Sequence, residues 1–202
     1  MTRSPATQRI VTAAIAHFAE ASYDGASLSA IAEAVGIRKA SLYAHFASKE
    51  ALFMAAFEEA LGIERTFADD CFNDESDRAL PGLRYCHALI RRFGESAHLR
   101  FLLRAGYMPP DTLAEWVDAR HEAYLAQLND RFLARLDDWQ GAQGALSAMQ
   151  RERFALAYLG IVDSLQVKLI YTTAELARER LEALSSIFED SLIHHCEGGK
   201  TP

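Results

Sequence analysis

The chain has 202 residues, of which 50% are hydrophobic and 24% charged. That balance fits a folded globular protein and excludes a disordered one. Lys and Arg number 21 against 28 Asp and Glu, for a formal net charge of −7. A uniformly basic coat for nucleic acid is thereby excluded, whereas a local basic patch is not.

Three cysteines, Cys71, Cys86 and Cys196, sit at wide, irregular spacing. They outline neither a disulfide framework nor a zinc site, and they suit a reducing cytoplasm. The opening residues MTRSPATQR contain no signal-like apolar run. No stretch approaches about 20 uninterrupted apolar residues, so no membrane span is expected.

Nearly every patterned segment repeats with helical period, and the alternating β-branched runs of strands are missing. An all-α protein follows. The first helix is expected from Ala6 to Ser22, with Ile10, Ala14 and Phe18 on one stripe beside Val11 and Ile15. Asp24-Gly25 ends it. Ser27 is placed to cap a short helix to about Val35, and Gly36 to stop that helix with a left-handed turn. A third short helix covers Lys39 to Phe46. Ser48 caps a fourth, which buries Leu52, Ala55, Ala56 and Phe57. The acidic stretch Asp69 to Gly82 reads as a loop. Further helices are expected at about 82–104, 110–138, 147–173 and 175–195. Gln140 to Ser147 forms a Gly/Ala/Ser connection, and the tail from Glu197 frays.

Function concentrates between Ser27 and Leu52, SLSAIAEAVGIRKASLYAHFASKEAL. Two short helices meet at Gly36 and can be locked by Leu28, Ile31, Val35, Ile37 and Leu42. Small Ala32 and Ala34 permit close approach. The second helix then presents Arg38, Lys39, Ser41, Tyr43 and His45, donors suited to phosphates and base edges. Residues 1–49 carry five basic and three acidic side chains, a net +2 inside a chain of −7. Tyr43 can also pack into the core, His45 can be a satisfied helix-end histidine, and the whole segment can be a plain helical hairpin.

The run I-A-x-A-V-G-I-x-x-A-S-L-Y-x-H-F-x-x-K-E-x-L, from Ile31 to Leu52, resembles the DNA-binding signature of the TetR family of bacterial transcriptional regulators. Ile10 to Tyr23 is similar to that family's first helix, with Phe18 as aromatic anchor. The likeness covers about the first 60 residues. It implies a three-helix DNA-binding domain over residues 1–50, linked by a fourth helix at about 48–65 to a larger helical ligand-binding and dimerisation domain over 51–202. It also implies that Ser27 and Lys49 meet phosphates and that Tyr43 and His45 touch the DNA backbone. Arg38, Lys39, Ala40 and Ser41 would open the recognition helix. Lys39 is the preferred base reader, with Arg38 turned to a flanking phosphate. The chain departs from the family at Arg38, often a capping Ser, and at Ala40, often Gly.

The remaining helices suggest a sensor and a dimer. Tyr158, Ile161, Leu165 and Leu169 on one helix, and Leu181, Leu184, Phe188 and Leu192 on the next, form stripes fit for a symmetric four-helix interface. A pocket for a small apolar or aromatic effector is expected among Phe67, Phe93, Phe101, Arg104, Tyr107, Trp116, His121, Tyr124, Phe154 and Asp163. Asp163, inside an otherwise apolar helix, serves either the interface or the pocket, unless it is simply exposed.

His194-His195 does not suggest a metal site, because adjacent helical side chains diverge by about 100°. No cofactor motif or catalytic constellation stands out. The expected protein is a cytoplasmic, homodimeric, ligand-responsive repressor of an inverted-repeat operator. Alternatives are control by a partner protein or thiol oxidation, an activator or architectural role, and a helical enzyme.

Overall fold

A computed structural model of the chain describes residues 3–143 and 146–198. The regular elements among them are α1 (Pro5–Gly25), α2 (Leu28–Val35), α3 (Lys39–Tyr43), α4 (Lys49–Asn73), α5 (Leu83–Glu95), α6 (Ala97–Tyr107), α7 (Ala114–Gln143), α8 (Ala148–Tyr171) and α9 (Ala174–Gly198). A 3-10 turn at Asp111–Leu113 precedes α7. The protein is all-α, as its periodicity predicts. Two compact units emerge: Met1–Arg65 with Ser96–His121, and Thr66–Glu95 with Glu122–Pro202.

Several boundaries differ from the sequence reading. The helix expected at 82–104 is two, because Ser96 leaves helical geometry and caps α6, accepting the Leu99 N–H at 3.2 Å. Helix α4 runs on to Asn73, into the expected loop, because Ala68, Cys71 and Phe72 are buried. Burial of that face outweighs the acidic composition. Helix α7 passes through Gly141 to Gln143. Of the expected connection and tail, residues 144–145 and 199–202 lie outside the described residues.

In the first unit, α1 starts with Pro5 after the Ser4 cap, whose hydroxyl accepts the Thr7 N–H at 3.2 Å. Its predicted stripe of Ile10, Val11, Ala14, Ile15 and Phe18 is buried. Phe18 meets Phe53 of α4 edge-on at 5.3 Å and stacks on Phe101 of α6 at 5.6 Å. Phe57 continues the cluster to Trp116 at 5.5 Å. Edge-to-face rings add about 0.5–1.5 kcal/mol per pair to the area they bury. Arg104 of α6 donates to the carbonyls of Ala19 and Glu20, at 2.5 and 3.3 Å. At the other end of α1, Arg3 and Gln8 both hold the Glu59 carboxylate of α4.

One backbone feature stands out there. Ser22 adopts φ 58° and ψ −178° inside α1, a kink in a region that is nearly glycine-only. Ser22→Gly should relieve it and raise unfolding stability by roughly 1–2 kcal/mol. Ser22→Ala should give no gain. Urea denaturation of the two variants checks this.

The second unit is built on aromatic and phenolic packing. Phe132 and Tyr158 stack at 4.3 Å, Phe188 closes on Phe132 at 6.0 Å, and the Tyr85 and Tyr124 hydroxyls bond at 2.8 Å in the interior. Helix α8 is long and apolar enough to cross a membrane by length and composition, with a mean hydropathy of 1.4 over 18 residues. Its Phe154, Ala155, Tyr158, Val162, Leu165 and Leu169 lie instead in this unit's core.

The loop before α5 is pinned by a buried carboxylate. Glu75 accepts the N–H groups of Gly82 and Arg84 at 2.8 and 2.9 Å, and Arg135 lies 3.6 Å from it. Burial pushes the Glu75 carboxyl up, and the two amides and Arg135 oppose that shift. Arg135 also donates to the carbonyls of Glu75 and Ser76. Tyr158 donates to the Gly82 carbonyl at 3.2 Å, and a Cβ at Gly82 would clash with the hydroxyl-bearing edge of the Tyr158 ring. With φ at +76°, Gly82 is excluded from other residues twice over. Gly82→Ala should cost roughly 2–5 kcal/mol, read from the shift of the denaturation midpoint.

Candidate nucleic-acid interface

Helix α3 has five residues, too few to persist alone, and is fixed by what it buries. Leu42 is fully enclosed and Phe46 nearly so. The preceding turn is a left-handed stop: Gly36, at φ 76° and ψ 30°, donates to the Glu33 carbonyl, while the Ile37 N–H reaches Ala32. Ile31 and Leu28 are buried beneath it, with Val35 and Ile37 half-buried. Ser27 occupies the cap position of α2 without a side-chain cap bond, contrary to expectation, so its hydroxyl stays exposed. Arg38 likewise begins α3 without a side-chain cap.

With Leu42 turned inward, the rest of the segment faces solvent. Arg38, Lys39, Ala40, Ser41, Tyr43 and His45 are all exposed, Tyr43 at 46%. Core packing of Tyr43 is thereby set aside. His45 is tethered: its Nδ1 and the Thr7 hydroxyl lie 3.2 Å apart. Lys49 begins α4 behind Ser48, whose hydroxyl accepts the Ala51 N–H at 3.1 Å. Its Nζ lies 4.5 Å from the centre of the Tyr23 ring. Sequence reasoning missed Thr7 and Tyr23, because each meets its partner across tens of residues with no spacing rule to announce it.

The residues expected to line a pocket do not gather in one cavity within either unit. Phe101, Arg104, Tyr107, Trp116 and His121 belong to the first unit, where Phe101 and Trp116 are part of the phenylalanine cluster and Tyr107 meets His121 edge-on at 5.3 Å. Phe67, Phe93, Tyr124, Phe154 and Asp163 belong to the second. There Arg92 covers the Phe67 ring at 4.1 Å, Tyr124 pairs with Tyr85, and Phe154 meets Phe188. Phe93 and Asp163 are half-buried.

The residues expected at a subunit interface also fall elsewhere. Tyr158, Ile161, Leu165, Leu169, Leu181, Phe188 and Leu192 are buried in the second unit itself, and Leu184 is half-buried. The outward large apolar positions are Met149, Leu156, Val167 and Tyr171 on α8, with Leu176, Ile187 and Ile193 on α9. Leu156 and Ile187 are 70% and 68% exposed. Between these helices runs an open groove of about 370 Å³, lined by Phe154, Ile161, Leu184, Ile187 and His195. The His195 ring bonds the Ser191 carbonyl of its own helix at 2.7 Å. Burial pushes the Cys86 thiol to about 12 and raises Cys71, which disfavours the thiolate that oxidation requires.

Comparison with known proteins bears on this surface. Residues 10–56 match the family model of the bacterial regulatory proteins, tetR family. Over 45 residues the chain is 49% identical to IcaR, the negative transcriptional regulator of a biofilm operon in Staphylococcus aureus strain Newman. That match takes in 22% of this chain and about a quarter, 24%, of IcaR. The fold extends further. A tetR-family transcriptional regulator from Streptomyces coelicolor superposes with a TM-score of 0.69 at 19% identity, over 100% of this chain and 92% of that one. FadR from Bacillus subtilis, solved in complex with stearoyl-CoA, gives 0.62 at 17% identity, over 89% and 97%. These structures share the fold, and the sequence match to the bacterial regulatory proteins of the tetR family covers residues 10–56, the helix-turn-helix segment.

Proposed function

We propose that this chain is a ligand-responsive transcriptional repressor that binds an inverted-repeat operator as a homodimer, with residues 1–50 on DNA and residues 51–202 for effector binding and dimerisation. The observation that carries the reading is the solvent-facing row Arg38, Lys39, Ser41, Tyr43 and His45 above an enclosed Leu42. A short, rigid, donor-bearing helix is what the major groove accepts. Lys39 reads a base edge. Ser27, Arg38, Tyr43, His45 and Lys49 hold the backbone, and Ala40 lets the helix approach. The relative IcaR is a negative regulator, which supports repression over activation. The work of such a protein lies in the cytoplasm, and no catalytic step is assigned to it.

The test is selection of DNA by the purified protein from a randomised library. A two-fold symmetric site is expected. Tyr43→Ala and Lys49→Ala should weaken all sequences alike, and Lys49→Ala should in addition flatten the salt slope by about 1. Lys39→Ala should change preference at particular base pairs, at about 1–3 kcal/mol. An unchanged preference in Lys39→Ala would place the reading face elsewhere.

The dimer is proposed to form through the outward faces of α8 and α9. Met149, Leu156, Val167 and Tyr171 recur at whole helical turns, as do Leu176 and Ile187. A face of that kind in water asks for a partner, and a two-fold axis supplies an identical one. Leu156→Arg with Ile187→Arg should give a folded monomer in sedimentation and weaken operator binding.

For the effector, the apolar and aromatic interior of the second unit, crossed by the Tyr124–Tyr85 hydrogen bond, is chemically suited to an apolar guest. The stearoyl-CoA held by FadR is a guest with a long apolar arm. Such a ligand acts by favouring one conformation of the regulator over another, at about 1–3 kcal/mol of coupling.

A further inference from the structure

Helix α4 opens on a cation and an anion side by side, Lys49 and Glu50. A carboxylate there repels the phosphate that the lysine attracts. The Glu50 carboxyl is held below its ordinary range by a backbone amide at the helix start, then by Ser48 and Tyr23, so the anion persists and must be kept aside.

Tyr23 touches both charges. Its ring lies under Lys49 Nζ at 4.5 Å, and its hydroxyl donates to Glu50 Oε1 at 2.8 Å. A cation over a ring uses one side of the ammonium and leaves other N–H donors for a second partner. The long lysine stem, otherwise free to rotate, is thereby confined.

Tyr23 is in turn held from behind. It stacks on Phe18 at 6.1 Å and meets Phe53 edge-on at 5.2 Å. The residue before it, Ser22, turns the chain through its glycine-like conformation. Just upstream, Arg104 fastens the carbonyls of Ala19 and Glu20. The ring's place is thus fixed by packing and backbone geometry that do not depend on Lys49.

We propose that Tyr23 is a positioning residue of the DNA interface, which holds Lys49 toward a backbone phosphate and ties Glu50 away from it. This rests on the reading that α3 and the start of α4 face DNA. A tyrosine that merely filled space would not couple to either charge.

The experiment uses the full chain and a duplex recovered by the wild-type protein from a randomised library, with affinity measured across a salt series. Tyr23→Leu should bind about tenfold more weakly, with a salt slope shallower by about 1 and base preference retained. Lys49→Gln should flatten the slope as much, and adding Tyr23→Leu to Lys49→Gln should cost less than Tyr23→Leu costs in the wild type, the part that remains coming from the freed Glu50. Tyr23→Phe keeps the ring and frees Glu50; it should bind more weakly than wild type and recover when Glu50→Gln is added. Tyr23→Phe preserves the packing on Phe18 and Phe53, so it decides the matter if Tyr23→Leu does not fold. An unaltered salt slope in Tyr23→Leu, independent losses in the double variant, or no recovery of Tyr23→Phe by Glu50→Gln overturns the role of Tyr23 alone. A wild-type protein that recovers no sequence overturns the DNA reading as well.

Discussion

A five-residue helix forms too few internal hydrogen bonds to hold its own shape, so α3 depends on the burial of Leu42 and Phe46. Those two side chains set its rotation about its axis. Every exposed donor on α3 has its direction from that one apolar anchorage. The anchorage needs a floor, which α2, with Ile31 and Leu28 buried, supplies against α3, and α2 needs α1, whose Ile10, Val11, Ala14, Ile15 and Phe18 are all enclosed. Phe18 then joins Phe53 and Phe101, tying α1 to α4 and α6. The chemistry offered to a partner is polar, but its geometry is settled by hydrocarbon.

Two kinds of fixing coexist in this unit. Apolar packing sets where the backbone runs. Short polar ties then orient single side chains: Thr7 with His45, Tyr23 with Glu50, Ser48 with the start of α4. Each tie is a single local bond that adds little to stability. Its effect is on orientation, since it removes rotamers from groups that would otherwise sweep through solvent.

Much of this was readable from the amino-acid order. Ile10, Ala14 and Phe18 at helical spacing announced the buried stripe of α1, and Gly36 announced the turn, because both signals are local. Where the reading failed, the deciding information was distant in the chain. The stripe of Tyr158, Ile161, Leu165 and Leu169 looked fit for a second subunit because α8 is apolar nearly all round. Which side faces inward was settled by Phe132 and by the Gly82 carbonyl, both far away in sequence. The break at Ser96 escaped notice because the apolar period continues across it. The ten aromatic and polar residues expected to share one pocket are divided between two units, since composition counts rings without saying which neighbours they keep.

The contact between Gly82 and Tyr158 has a consequence for how this sequence can drift. Most surface turns accept substitutions freely, and most interior rings tolerate a somewhat smaller neighbour. Position 82 has neither freedom, because the phenol ring occupies the volume any side chain would claim and the backbone sits on the glycine side of conformational space. A change of residue here meets two obstacles, of which a loss of bulk at position 158 removes one and leaves the strained backbone. The glycine is therefore held by more than its partner ring, and lineages that keep the tyrosine will keep the glycine with it.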